Sequence, residues 1–241
     1  MTNRPYVTLN VAMTADGKTD TIARKGAGIS SASDMERVDR LRAESDAVMV
    51  GGRTLLGDDP RLTVKSEGLR AGRLSRGLEE NPIKVGVVTN AAIPMDSRFM
   101  TTGPARKIIF TTTQTEADQI NRLRQHGVQV YITQGQRVDL DAALQELKQI
   151  GVERLLVEGG GTLNEELLKR NLVDEIILYI APLIFGGSSA PTFVSGTGLE
   201  RLNAIPLQLT TVDTHKDGGI LLRYIVGTSQ SETMQENAQG V

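Results

Sequence analysis

Residues 154–169, RLLVEGGGTLNEELLK, place an apolar strand, three consecutive glycines and a helix in direct succession. A strand that leads into a helix is the repeating unit of a sheet covered by helices. Glycines let a ligand approach the backbone, and the first N–H groups of a helix favour an anion such as a phosphate. The turn has neither the Gly-x-Gly-x-x-Gly pattern nor the lysine of a phosphate loop. It therefore predicts a nucleotide site of a general type.

Two polar side chains of this stretch have alternative interpretations. Thr162 and Glu165 have the spacing of a capping box, so the turn is either a ligand site or a tight, well-capped connection. Glu158 ends the strand just before the glycines. It is either a carboxylate on the floor of a pocket, accepting hydrogen bonds from a polar ring, or an exposed acid at a strand end.

The same alternation of strands and helices extends in both directions. Further strands are predicted at residues 6–12, 46–51, 83–89, 107–112, 128–132 and 175–181. Helices are predicted after the capping-box pair Ser33 and Glu36, and at residues 116–125 and 140–150. Strands 207–213 and 220–226 have no helix between them, and Gly218 and Gly219 mark their turn. The pattern predicts an α/β fold with a mixed, mostly parallel sheet and antiparallel C-terminal strands.

Two segments do not follow the alternation. Residues 66–81 are rich in Gly, Arg and Glu and predict a surface loop. The polar residues 228–241 predict a disordered tail. No linker divides the rest, so residues 1–227 are predicted to form a single domain.

Composition excludes several classes of function. The 241 residues carry 27 Lys and Arg against 29 Asp and Glu, a net charge of −2, and include eight Tyr and Phe but no Trp. Such a chain lacks both the basic surface and the aromatic platform of a nucleic-acid-binding protein. No cysteine and only two histidines argue against disulfides, a thiol nucleophile or a metal site. No stretch approaches the roughly 20 apolar residues of a membrane span, and a cytoplasmic location is expected.

Three other clusters carry candidate site residues. Residues 51–65, GGRTLLGDDPRLTVK, follow a buried strand and combine cations suited to an anion with polar groups suited to a cofactor. Residues 10–18, NVAMTADGK, run from a strand into an Asp-Gly turn, and residues 181–187, APLIFGG, form an apolar turn. Each cluster alone is also consistent with an ordinary loop, or in the last case with a subunit contact.

Taken in order, these strings resemble the reductase of riboflavin biosynthesis, a family with a dihydrofolate-reductase-like, three-layer αβα fold. The resemblance covers roughly residues 4–226. It is carried by MTADGK (13–18), RA (42–43), VGGRT (50–54), DDPRLT (58–63), EGGGTL (158–163), LVDE (172–175) and IAPLIFGG (180–187). It implies NADPH-dependent reduction of a ribosylamino side chain on a phosphorylated pyrimidine to a ribitylamino chain, in a homodimer.

The resemblance also implies site residues. The NADPH site would be lined by Ala12, Gly28, Thr54, Asp58, Thr89, Gly160, Gly161 and Thr162. The substrate would contact Asn10, Arg42, Leu62, Lys65 and Glu158, with Arg42, Arg61 or Lys65 suited to its 5′-phosphate. Asp58 is the candidate for an acid or positioning role. No metal is implied.

Several alternatives stay open at this point. Stand-alone reductases of the family usually act on the 2,5-diamino-pyrimidinone, which is the favoured substrate, but the deaminated uracil form is the second candidate. A zinc deaminase within this chain is excluded because its cysteine ligands are absent. A pterin or dihydrofolate reductase is less favoured because such enzymes usually place a Trp beside the folate. A non-catalytic nucleotide-binding module would keep the glycine turn without needing substrate cations.

Overall fold

The structure is a computed structural model that describes residues 3–227. The strands in the described part are β1 (Tyr6–Thr14), β2 (Ala47–Gly51), β3 (Ile83–Val87), β4 (Lys107–Thr112), β5 (Val128–Thr133), β6 (Arg154–Val157), β7 (Glu175–Ala181), β8 (Leu207–Thr214) and β9 (Ile220–Val226). The helices are α1 (Ala32–Glu44), α2 (Glu67–Ser75), α3 (Arg98–Thr101), α4 (Ala117–Gln125), α5 (Leu140–Gln149) and α6 (Gly161–Lys169). A π-helical turn covers Thr54–Asp58, and a short 3₁₀ turn covers Arg201–Asn203.

These strands form one sheet in the order β5-β4-β3-β2-β6-β1-β7-β9-β8. The pairs from β5 to β7 are parallel, and the pairs β7–β9 and β9–β8 are antiparallel. The predicted mixed sheet with antiparallel C-terminal strands is confirmed. The predicted turn at Gly218 is also confirmed, because His215 and Gly219 close the β8–β9 hairpin through a backbone hydrogen bond.

Side chains of the central strands alternate between two apolar layers, as expected for strands buried on both faces. In β2, Met49 packs into the core that contains the leucines of α5 and α6, whereas Val48 and Val50 face the core that contains Leu123 of α4. This arrangement confirms the predicted αβα layering. It also brings the carboxyl ends of β1, β2, β3 and β6 to the same edge of the sheet.

The prediction of a surface loop at residues 66–81 is wrong, because α2 occupies most of this segment. Its Arg73 is buried and donates hydrogen bonds to the carbonyls of Ala43 (2.9 Å) and Ser45 (2.7 Å) at the end of α1, and to that of Glu79 (2.8 Å). The helix is capped by the side chain of Ser66 and is held against the end of α1 by the buried guanidinium of Arg73, which is its only buried residue. Composition alone gives no sign of such a contact.

Both predicted capping boxes are wrong. Helix α1 begins two residues earlier than expected, and the side chain of Ser31, not Ser33, accepts the hydrogen bond from the backbone N–H of Asp34. Helix α6 begins at Gly161 with Gly160 as its N-cap, and no side chain caps it. Each helix extends further toward its N-terminus than the Ser/Thr spacing indicated. The predicted tail at residues 228–241 lies outside the described residues.

Candidate active site

A cleft of about 720 Å³ opens at the carboxyl ends of β1, β2, β3 and β6. In open α/β sheets this is the edge at which ligands bind. The walls of the cleft are completed by the loop after β1, the loop between β5 and α5, and residues 191–195 between β7 and β8. The cleft is therefore assembled from parts of the chain that lie far apart in the sequence.

The glycine turn after β6 lies at the centre of the cleft. Gly51, at the end of β2, donates its backbone N–H to the carbonyl of Gly159 (2.8 Å), which fixes the turn against the sheet. A Cβ atom on Gly161 would lie 2.4 Å from Ser195 Oγ and 2.7 Å from the carbonyl oxygen of Thr192. The turn thus needs glycine because another segment of the cleft wall packs directly on it. With no side-chain cap, the start of α6 remains available to an anionic group.

Glu158 is held by an ion pair at the floor of the cleft. Both of its carboxylate oxygens accept hydrogen bonds from the guanidinium of Arg42, each at 2.7 Å, and the side chains of Glu158 and Arg42 are 12% and 13% exposed. Burial lowers the pKa of Arg42, but the charge and hydrogen bonds of Glu158 outweigh this effect and raise it overall. Arg42 also donates to the carbonyl of Thr63 (3.1 Å). The pair therefore holds the Glu158 carboxylate in a fixed orientation at the cleft.

Asp58 is an exposed residue that ends the π-helical turn and lines the cleft. Burial raises its pKa, the nearby carboxylate of Asp20 raises it further, and the charge of Arg98 acts in the opposite direction. Asp20 itself accepts hydrogen bonds from the backbone N–H groups of Gly26 (3.0 Å) and Ala27 (2.9 Å), which order the loop after β1. Two acidic side chains therefore lie close together in this part of the cleft.

Most of the residues that the resemblance assigned to a cofactor line this cleft. They are Ala12, Thr54, Asp58, Thr89, Gly160, Gly161 and Thr162, whereas Gly28 lies next to the lining residue Ala27. Of the residues assigned to the substrate, Asn10 and Glu158 line the cleft, and Arg42 lies behind Glu158. The roles of these residues remain predictions.

The remaining substrate assignments lie elsewhere. Leu62 is fully buried in the core beside α3 and α4, with a φ of 51°. Arg61 and Lys65 are exposed and are not among the residues that line the cleft. The backbone N–H of Lys65 donates to Asp39 of α1 (2.6 Å), which ties this loop to the helix that carries Arg42.

Three parts of the wall were not predicted from the sequence. They are the part of the loop after β1 that contains Asp20, where only the later residue Gly28 was assigned, the loop containing Arg137, and residues 191–195. Each is a connection at the carboxyl edge of the sheet. The predicted strands therefore indicated that loops at this edge could contribute to a site, but not which ones. Which loops reach the cleft depends on their hydrogen bonds, such as that from Asn164 Nδ2 to the carbonyl of Phe193 (2.9 Å).

Among residues 3–227, no helix has the length and apolar character needed to cross a membrane. Within the same residues, no group of three or more acidic or histidine side chains is placed to hold a metal ion.

The fold and the cleft define an α/β protein with a large open cleft at the carboxyl edge of its sheet. Residues 5–221 match the model of the RibD C-terminal domain, and the chain belongs to this family. A protein of Archaeoglobus fulgidus, 44% identical over 80% of this chain and 87% of its own length, is named 2,5-diamino-6-ribosylamino-4(3H)-pyrimidinone 5′-phosphate reductase. A protein of Methanothermobacter thermautotrophicus with the same name is 41% identical over 86% of this chain and 91% of its own length.

A solved structure also resembles the chain. Acinetobacter baumannii RibD superposes with a TM-score of 0.77 and 27% identity, over 94% of this chain and 59% of that one. The similarity extends over nearly the whole described part of the chain, so it includes the sheet and the cleft.

Proposed function

We propose that this protein reduces the ribosylamino side chain of 2,5-diamino-6-ribosylamino-4(3H)-pyrimidinone 5′-phosphate to a ribitylamino chain, with NADPH as reductant. The observation that carries the proposal is the cleft itself, which places a glycine turn suited to a dinucleotide beside an ion-paired carboxylate suited to a polar ring. The names of the archaeal relatives supply the substrate and the type of reaction. Oxidoreductase activity follows from the same relatives.

The cleft residues fit a nicotinamide dinucleotide. Gly160 and Gly161 expose backbone at the uncapped start of α6, where the pyrophosphate would lie. When bound, the reduced nicotinamide would supply a hydride to the sugar carbon attached to nitrogen, after the ring C–O bond has opened to leave a C=N bond, and the nitrogen would take up a proton. Arg24 and Arg53 both line the cleft and make no ion pair within residues 3–227. We propose Arg53 for the extra phosphate of NADPH, because it follows Gly51, which is hydrogen-bonded to the glycine turn.

The chain's own residues orient the second ligand. Asn10 lines the cleft, and its Oδ1 atom is buried and without a partner in the described structure. Together with Glu158, it offers acceptors to the amino and N–H groups of a diaminopyrimidinone. Such positioning brings the acceptor carbon of the sugar to the reductant and excludes water from it. We propose that Asp58 holds a proton, because it lines the cleft and its pKa is raised by partial burial and by the charge of Asp20.

The test is the oxidation of NADPH by the purified protein with the diamino compound, its deaminated uracil analogue and dihydrofolate as parallel substrates. We expect the diamino compound to give the highest kcat/KM. Preference for the uracil compound would contradict the substrate assignment while keeping the reaction. Turnover of dihydrofolate alone would reject the proposal, and binding of NADPH without any turnover would favour a nucleotide-binding module.

We also propose that the protein is a homodimer that associates through β8. This edge strand is exposed along all eight residues, and its Leu207, Leu209 and Val212 are 43%, 49% and 54% exposed. An apolar strand at a sheet edge is usually covered by a partner. We expect light scattering to give twice the chain mass, and Val212→Lys to lower it toward the monomer. A monomeric mass for the wild-type protein would reject the dimer.

A further inference from the structure

The residue after Asp58 has an unusual backbone and an unusual set of partners. Asp59 adopts the left-handed conformation, with φ 45° and ψ 62°, which Asp and Asn adopt more readily than other residues with a side chain. Its carboxylate accepts hydrogen bonds from the backbone N–H groups of Arg98 (2.8 Å) and Phe99 (3.0 Å), at the start of α3. The guanidinium of Arg98 in turn donates to the carbonyl of Asp58. Both residues of the Asp58–Asp59 peptide are thus bound to the start of α3, Asp58 through its carbonyl and Asp59 through its carboxylate.

Helix α3 is itself fixed at its other end. Lys84 of β3 is fully buried, and its Nζ atom donates to the carbonyls of Phe99 (3.0 Å) and Thr102 (2.6 Å). The Phe99 side chain is also fully buried, in the core that contains Leu55 of the π-helical turn. Burial lowers the pKa of Lys84 to about 8, and the charge of Lys107 acts in the same direction. A buried, hydrogen-bonded amine of this kind anchors α3 to the central sheet.

We propose that Asp59 is a positioning residue: by binding the anchored start of α3, its carboxylate fixes the turn that places Asp58 on the wall of the cleft. Asp59 does not line the cleft, so it acts through its neighbour. The inference rests on the proposed function for its kinetic consequences. The claim that Asp59 fixes the position of Asp58 does not depend on that function.

The chemistry of the contact predicts an order among variants. A carboxylate accepts both N–H groups with separate oxygens, whereas an asparagine amide offers one oxygen and turns its NH₂ toward the second donor. Asp59→Asn therefore keeps part of the contact, and Asp59→Ala removes it. We expect losses in kcat/KM of several-fold for the first variant and about 30-fold for the second.

A matched control is available in the same chain. Asp46 also accepts two backbone hydrogen bonds with its carboxylate, from the N–H groups of Glu153 (2.9 Å) and Arg154 (2.8 Å). It lies at the amino ends of β2 and β6, on the edge of the sheet opposite the cleft. Asp46→Ala removes the same number of backbone hydrogen bonds as Asp59→Ala, which also removes the ion pair of Asp59 with Arg98 (3.6 Å). Asp46→Ala therefore measures the effect of losing two such backbone hydrogen bonds away from the cleft.

The experiment compares Asp59→Ala, Asp59→Asn, Asp46→Ala, Asp58→Asn and the double variant Asp58→Asn/Asp59→Ala. We measure kcat/KM, the Kd of NADPH, the denaturation midpoint, and the titration of the Asp58 carboxyl carbon by NMR, assigned by its absence in Asp58→Asn. We expect Asp59→Ala to shift the pKa of Asp58, because a displaced turn changes the distances of this carboxyl from the carboxylate of Asp20 and the guanidinium of Arg98. We expect Asp46→Ala to leave that titration and the kinetic constants within about twofold.

The double variant tests whether Asp59 acts through Asp58. We expect Asp59→Ala to lower kcat/KM by less than about threefold once Asp58 is already Asn. An equal loss in both backgrounds, or an unchanged Asp58 titration in Asp59→Ala, would overturn the inference. If the wild-type protein turned over none of the pyrimidines, the proposed function would fail, and the NMR titration would still decide this inference.

Discussion

Gly161→Ala is expected to abolish most of the reductase activity, with a loss of at least about 100-fold in kcat/KM. The added methyl group would lie 2.4 Å from Ser195 Oγ and 2.7 Å from the backbone carbonyl of Thr192. The Ser195 side chain can rotate away, but the Thr192 carbonyl is part of the main chain, so residues 191–195 must move. This segment and the glycine turn are both walls of the cleft, and both would lose their positions.

The control for this prediction is Gly72→Ala in α2. A methyl group on Gly72 would have no neighbouring atom within 4 Å, and this residue lies outside the cleft, so the same change should leave the kinetic constants unaltered. Alanine should even stabilise α2 slightly, because it is the better helix former. The measurements are kcat/KM and the Kd of NADPH for both variants. Wild-type NADPH binding by Gly161→Ala would show that the packing of residues 191–195 on the turn has no part in the site.

Much of the sheet follows from local sequence, because its strands are buried apolar runs. The predicted bounds of β4, β7 and β9 coincide with those in the structure. A strand that is buried on both faces is a continuous apolar run, so its own residues are enough to predict where it begins and ends. Helix α2 is different, since it is held by the hydrogen bonds of Arg73 to the carbonyls that end α1. A contact between residues about 30 positions apart leaves no periodic signal.

The candidate site was likewise predictable in part: features that follow a strand directly were predicted, and contacts between distant residues were not. The glycine turn and Asp58 were found because a strand end fixes where the next residues lie. The ion pair of Arg42 with Glu158 was not found, although both residues were singled out, because 116 residues separate them. The loop of Asp20 was missed for a related reason, since its shape depends on hydrogen bonds that form only when the loop is folded.

Removing either partner of the Arg42–Glu158 pair is expected to cause a large loss of stability. Both side chains are nearly buried, so the remaining charge would have no compensation in a poorly solvated position. Breaking a buried pair in this way costs about 3–5 kcal/mol of unfolding free energy. We expect a loss of this size for Glu158→Ala and a smaller one for Glu158→Gln, whose amide oxygen still accepts from Arg42. Urea denaturation measures it.

The double variant Arg42→Met/Glu158→Ala separates the charge effect from lost packing. An apolar replacement leaves no buried charge, so we expect the double variant to lose clearly less stability than the sum of its single variants. Asp141→Asn is the matched surface control, because its partner Arg170 is 40% exposed and Asp141 is 51% exposed. An exposed pair of this kind contributes at most about 1 kcal/mol. If the loss of unfolding free energy in the double variant equalled the sum of the losses in the two single variants, the two side chains would not be energetically coupled.

Substitution of Glu158 is also expected to affect the binding of the pyrimidine and of NADPH to different extents. Glu158 lies at the floor of the cleft on the side of Asn10, whereas the proposed nucleotide contacts lie on the glycine turn and α6. We therefore expect Glu158→Gln to raise the KM of the pyrimidine by about tenfold or more, because an amide accepts ring N–H groups less well than a carboxylate. The Kd of NADPH should change by less than about threefold. An equal weakening of both ligands would mean that Glu158 supports the cleft as a whole and does not recognise the pyrimidine.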